Sequence, residues 1–233
     1  MNPRDLARMQ NTVSQAVKRA LLPGASSSAP PGAVSQPLAA PTDRPTCEEL
    51  AATFRQELEA LAGIVHEVAG AAAAGSRVRE IARDQRATRV LSWEAQHLCV
   101  PGLLDDLEED GLQVMTAAVP SNANARATSL AALEQAELGL TGADAGLADT
   151  GSIVLVSGPG RLRLASLLPP VHIALLARAH LWPTMTAWLM AEASSVQRGS
   201  NVVVITGPSR TADIEMTLSR GVHGPGEVHV VLY

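Results

Sequence analysis

Val202, Val203, Val204 and Ile205 form an unbroken β-branched run that closes at Thr206 and meets Gly207-Pro208, a junction that constrains the fold more than any other stretch. β-Branched side chains favour extended backbone. Apolar residues on both alternating faces predict a strand covered on both sides in a parallel sheet. The residues that follow, Gly207-Pro-Ser-Arg-Thr-Ala-Asp-Ile-Glu215, predict a tight turn opening a helix over Ser209 to Arg220. A helix start leaves backbone N–H groups unpaired, so Gly207, Ser209, Arg210 and Thr211 outline an anion site. Asp213 and Glu215 add carboxylates, and on a helix residues two apart point away from each other, so one of the pair faces that site. Burial near Ile205 and Ile214 would raise its pKa toward general acid or base work.

The same alternation runs through the chain. Strands are expected near Ile64 to Val68, Arg89 to Trp93, Leu112 to Ala117, Ala143 to Ala148, Ser152 to Ser157, Val171 to Ala177 and Val228 to Tyr233. Helices are expected over Arg77 to Gln85, Gly102 to Glu109, Ala127 to Leu138 and Pro183 to Ser194. This order predicts a three-layer α/β fold with a mostly parallel sheet and right-handed crossovers. The two strands flanking Gly151 are too close for a parallel crossover and predict a local antiparallel hairpin.

The folded domain is expected to span residues 46–233, because Thr46-Cys-Glu-Glu49 reads as a capping box ahead of an apolar stripe of Leu50, Phe54, Leu58 and Leu61. Before it, residues 22–45 are rich in Pro, Ala and Ser and read as a flexible linker. Residues 1–21 read as an amphipathic helix, with Leu6, Met9, Val13 and Val17 on one face and Arg4, Arg8, Lys18 and Arg19 on the other. That face lacks a core of its own, which suits docking on a partner, a second copy of the chain or the domain itself.

A chain of 233 residues, 46% hydrophobic, can bury a full α/β core. Its net charge of −5 and 2% aromatic content argue against nucleic acid as partner. No apolar stretch approaches the roughly 20 residues of a membrane span. Cys47 and Cys99 form no metal motif, so no zinc or iron–sulfur cluster is expected in this chain, and they suit a reducing cytoplasm.

In parallel sheets ligands sit at the carboxyl ends of the strands, and one pocket there is expected to collect the polar segments. These are Asp149-Thr150-Gly151-Ser152, the loop carrying Arg161 and Arg163, Ser166 with His172, the turn after Thr206, and His223-Gly224-Pro225. Arg161 and Arg163 can bind a carboxylate or phosphate bidentately. His172 suits a structural role as well as an acid–base one. His223, in a loop with no packing duty visible, is the stronger catalytic histidine, beside Asp213 and Glu215. Fingerprints for dinucleotides, phosphate loops, serine elbows and HExxH metal pairs are missing.

Four segments together, Ala148-Asp-Thr-Gly-Ser152, Ser166-Leu-Leu-Pro-Pro-Val-His-Ile173, Thr206 to Glu215 and Gly221-Val-His-Gly-Pro225, resemble the lactate utilization protein C family, the LUD domain group. The resemblance covers roughly Thr46 to Tyr233. It implies a fold like that of the sugar-phosphate isomerases, CoA-transferases and formyltetrahydrofolate cyclo-ligases. It also implies a non-cluster subunit or assembly factor in oxidation of L-lactate to pyruvate, with iron–sulfur partner proteins and a small carboxylate or other anionic ligand. The alternative is a stand-alone enzyme acting on an acyl, phosphorylated or folate-like ligand.

Overall fold

Thr46 closes a capping box: its side chain accepts from the Glu49 N–H, while the Glu49 carboxylate accepts from the Thr46 N–H. The helix that follows buries Ala51, Phe54 and Leu58, spaced three and four apart along one stripe. The computed structural model describes residues 45–116, 120–212, 218–220 and 223–233. The expected helix of residues 1–21, nearly all of the linker, and Asp213 and Glu215 lie outside the described residues.

The first half of the domain comprises α1 (Cys47–Ala60), β1 (Ile64–Glu67), α2 (Gly70–Asp84), β2 (Arg89–Ser92), α3 (Leu103–Glu109), β3 (Gln113–Met115), α4 (Ala123–Leu133) and β4 (Leu138–Gly142). The second comprises β5 (Ala145–Leu147), β6 (Ser152–Ser157), β7 (Val171–Leu176), β8 (Leu181–Trp182), α5 (Met185–Ala191), α6 (Ala193–Arg198), β9 (Asn201–Ile205), β10 (Arg210–Ala212), β11 (Leu218–Arg220) and β12 (Glu227–Leu232). Six strands run wholly parallel in the order β1, β12, β7, β4, β2, β3. The central strands β4 and β7 are buried along their whole length, so both faces of the sheet are covered. From β1 to β2 and on to β3 the chain steps one way across the sheet, then returns through β4 and β7 to β12. Right-handed crossovers therefore place α2 and α3 on one face and α4 with the second sheet on the other. Accordingly, Gly75 of α2 faces Val100 and Leu103.

That second sheet has the order β8, β5, β6, β9, with β6 antiparallel to both of its neighbours. The β5–β6 pair is the hairpin expected around Gly151. Its side chains alternate between two cores: Ile153 and Leu155 join the main cluster, while Val154 and Val156 pack with Ala145, Leu147 and Trp188.

Three expectations are corrected. Val202 to Ile205 is not a parallel central strand but β9, antiparallel to β6 at the margin of the second sheet, with Val204 39% exposed. Its unbroken apolar character has a different origin, since Val202 packs on the smaller cluster and Val203 and Ile205 on the main one. The helix expected over Ser209 to Arg220 is replaced by paired strands, Arg210 opposite Arg220 and Thr211 opposite Ser219. Among the described residues, that stretch therefore holds no helix start at which an anion could sit. Finally, α4 stops at Leu133, and Leu138 to Gly142 forms β4. Gly139 hides this strand from a propensity reading: a Cβ there would stand 1.8 Å from the Ala165 carbonyl oxygen, so only glycine lets that turn seat on the sheet. Smaller shifts are the start of α2 at Gly70 and the division of Pro183 to Ser194 into α5 and α6.

His172 lies inside this core, fully buried, with Nε2 2.9 Å from the Thr141 hydroxyl and Nδ1 without a hydrogen-bond partner. Burial, with a smaller contribution from His229, pushes its pKa down to about 3 from 6.5. The folded state keeps His172 neutral where the unfolded chain takes up a proton. Stability is thus fully present above pH 6.5 and is lost as pH falls toward about 3. In urea unfolding between about pH 7 and pH 5, His172→Gln is expected to lose less stability than the wild type, by about 1.4 kcal/mol per pH unit once below the unfolded pKa. Parallel curves for the two proteins would contradict this.

Candidate functional site

Parallel strands end together, and their carboxyl ends build the site. After β2 come Trp93, Glu94 and a 3-10 turn, Ala95–His97. After β4 come Ala143 and Asp144, after β7 Ala177 and a second 3-10 turn, Arg178–His180, and after β12 Tyr233. These ends line a cavity of about 320 Å³, together with Arg161 from the loop after β6, Trp182 of β8 and Trp188 of α5. Gly142 brings the two sides together, since a Cβ there would meet the His97 carbonyl oxygen at 2.4 Å.

Arg161 organises the polar wall. Its Nη1 donates to Asp144 Oδ1 at 2.8 Å, its Nε donates to His97 Nδ1 at 3.2 Å, and its guanidinium carbon lies 5.5 Å from the centre of the Trp93 ring. Asp144 Oδ2 accepts the Val156 N–H at 2.7 Å. Arginine only donates, so His97 accepts at Nδ1, while its Nε2 lies 3.4 Å from the Gln96 side-chain nitrogen. The Nη2 edge of Arg161 takes no part in these bonds. Burial and nearby Cys99 push the Tyr233 phenol pKa up, keeping it protonated. His180, Glu192 and Cys99 also line the space. The arrangement offers a cationic donor, an imidazole and aromatic walls. Among the described residues no cluster of His, Cys, Asp and Glu suits a metal ion, and no helix is long and apolar enough to cross a membrane.

The residues singled out from sequence gather elsewhere. Ser152 Oγ bonds the hydroxyls of Thr150 and Thr206, both at 2.8 Å. Gly151 sits against the backbone of Leu58 and Gly207 against Leu61, and the Arg210 guanidinium donates to the Leu61 carbonyl. The Ser209 N–H donates to the Pro225 carbonyl at 2.9 Å, Gly224 lies beside the Ser209 side chain, and the Gly226 N–H donates to the Pro170 carbonyl at 2.9 Å. Leu61, Pro170 and Gly226 stand just before β1, β7 and β12, so this cluster marks the amino ends of the sheet. One carboxyl-end pocket therefore does not collect all the expected residues. The reason is the path of β9, which starts at Asn201 beside Ser157 and runs antiparallel to β6 toward Leu61.

Asp149 and His223 are exposed near this cluster, and Thr211 lies in β10. Ser166 is buried, its hydroxyl donating to the Arg163 carbonyl at 3.0 Å, and Arg163 faces a more open depression beside Ser157 and Asn201. His172 is in the core. Of the residues weighed from sequence, only Arg161 lines the cavity, while Trp93, His97, Asp144 and Tyr233 were missed. Recognising β4 would have exposed Asp144, because it follows the carboxyl end of that strand.

A parallel α/β domain carrying a second, mixed sheet and a carboxyl-end cavity defines the class of protein. The LUD domain family model matches residues 51–233, and the chain belongs to that family. It is 36% identical over 152 residues to lactate utilization protein C of Halalkalibacterium halodurans, covering 64% of each chain. It is 44% identical over 96 residues to that of a Geobacillus species, covering 40% of each. It is 39% identical over 103 residues to that of Bacillus subtilis, covering 42% of this chain and 43% of the relative. The chain thus matches less than two thirds of the length of these relatives. The crystal structure of a DUF162 family protein from Deinococcus radiodurans shares the fold, with a TM-score of 0.57 at 20% identity, covering 81% of this chain and 99% of that one.

The Arg161–Asp144 pair is expected to hold the two sheets together at the cavity. Asp144 is only 18% exposed, so Arg161→Ala should lower the unfolding free energy by about 1–3 kcal/mol. With Asp144→Ala it should be less than additive, by at least about 0.5 kcal/mol. Guanidinium unfolding followed by tryptophan fluorescence checks both, and simple additivity would contradict the pairing.

Proposed function

We propose that this protein takes part in lactate utilization, acting with iron–sulfur partner proteins that oxidise L-lactate to pyruvate and holding a small anionic ligand in its carboxyl-end cavity. Membership of the LUD domain family, with relatives named lactate utilization protein C, carries this reading. Two features of the chain support its details. Cys47 and Cys99 are its only cysteines, and they are separate and exposed, which supports a role in which the clusters belong to the partners. Arg161 supplies a cation whose Nη2 edge lies outside these bonds, at a cavity where four strand ends meet. The chain acts as a cytoplasmic, non-cluster subunit, and His97 is its acid–base group. The motif cluster around Ser152, Thr206, Ser209 and Arg210 forms a second point of action at the other end of the sheet.

Deletion of the gene is expected to abolish growth on L-lactate as sole carbon source while sparing growth on glucose. The wild-type gene should restore it, and Arg161→Ala, present at wild-type level, should not. Restoration by Arg161→Ala but not by Arg210→Ala would move the working site to the motif cluster. Undiminished growth of the deletion strain on lactate would refute the role. Turnover of an acyl, phosphorylated or folate-like compound by the isolated chain would favour an independent enzyme.

A further inference from the structure

Wide, flat side chains are scarce here: three Trp, one Tyr and one Phe in 233 residues. Phe54 is in the core, and the other four, Trp93, Trp182, Trp188 and Tyr233, all line the carboxyl-end cavity. They arrive from four separate places, the loop after β2, strand β8, helix α5 and the residue after β12. Trp93 also belongs to the main core cluster and Trp188 to the smaller one, each 2% exposed, whereas Trp182 and Tyr233 are only partly buried. Packing accounts for Trp93 and Trp188 but leaves Trp182 and Tyr233 with accessible ring surface at the cavity. A cavity that concentrates them presents flat, polarisable walls, on which a planar ring gains about 1–3 kcal/mol by stacking.

The polar groups narrow the ligand further. Arg161 donates, Asp144 and Glu192 are acidic, and His97 and His180 can do either, so the lining meets a ligand edge bearing both acceptors and donors. Nitrogen heterocycles have such edges. L-lactate has no flat face, and a three-carbon acid fills only a small part of about 320 Å³. A cavity of that size lies at the lower end of the range for small-molecule sites.

We propose that this cavity binds a planar nitrogen heterocycle of mononucleotide size, its ring against Trp182 and Tyr233 and its polar edge toward Arg161, His97 and His180. The proposal rests on the reading of the cavity as the ligand site and changes the ligand from a small acid to an aromatic one.

Two thiols make the test internal to the molecule. Both are free and exposed, but only Cys99 lines the cavity. The purified full chain is treated with N-ethylmaleimide in the presence of AMP, nicotinamide mononucleotide or flavin mononucleotide, with L-lactate and inorganic phosphate as non-aromatic comparisons. Peptide mass mapping follows each cysteine. At about ten times its Kd, at least one mononucleotide should slow labelling of Cys99 about tenfold and leave Cys47 unchanged. Trp182→Leu should remove the protection, and saturable quenching of tryptophan fluorescence by AMP or nicotinamide mononucleotide gives a readout independent of any variant. Protection by lactate or phosphate as strong as by every mononucleotide would overturn the aromatic ligand and leave the small-anion reading standing. No protection of Cys99 by any of the five would overturn both.

Discussion

The carbonyl oxygen of Ala165 fills the space into which any side chain at position 139 would project. Much of the architecture follows from that contact. Strand β4 is the hinge of the parallel sheet, paired with β7 on one side and β2 on the other, and a glycine on its face lets the Arg163–Ser166 turn lie directly on the sheet. At the other end of the strand Gly142 does the same for the His97 carbonyl. One strand thus sets the depth at which both flanking turns sit, and the second of them forms a wall of the cavity. The cost is a strand of low intrinsic β-preference, offset by complete burial of all its residues.

The second sheet depends on a different economy. Strand β6 has no solvent face, since its odd-numbered and even-numbered apolar residues enter different clusters. The smaller cluster is thereby joined to the main one through a shared strand. At its far end Val156 offers its N–H to Asp144 and its carbonyl faces Arg161, so the polar wall of the cavity is anchored to backbone as well as to side chains. Such anchoring holds the Arg161 fork in place without a ligand, which is what a preorganised binding group requires.

Local signals were legible and non-local ones were not. The Thr46 capping box and the Gly151 hairpin are each decided within a few residues, and both appear as expected. The pairing of Arg210 to Ala212 with Leu218 to Arg220 is a choice of ladder partner that a turn followed by charged residues does not reveal. The direction of β9 mattered most. Its apolar run announced a strand correctly, but whether that strand ran with the main sheet or back across another one decided which end of the domain received the motif. The cavity was the least visible feature, because Trp93, Asp144, Arg161, Trp188 and Tyr233 meet only through the crossovers.

The separation of motif and cavity bears on how the family signature should be understood. Among the described residues, the bonds at the motif cluster are internal: Arg210 to the Leu61 carbonyl, Ser209 to Pro225, Ser152 to Thr206. These contacts tie the end of α1, the β5–β6 turn and the entry to β12 into one seam. Removing the Arg210 guanidinium takes a donor from a helix-end carbonyl, which lowers stability whatever else it does. Loss of function in an Arg210 variant is therefore evidence for a ligand contact only where folding is intact. Arg161 poses the opposite case: it carries structural bonds through Nη1 and Nε, while its Nη2 edge lies outside them. Replacement by lysine tests that division, because an ammonium can keep the pairing with Asp144 but cannot reproduce the planar fork beside Trp93.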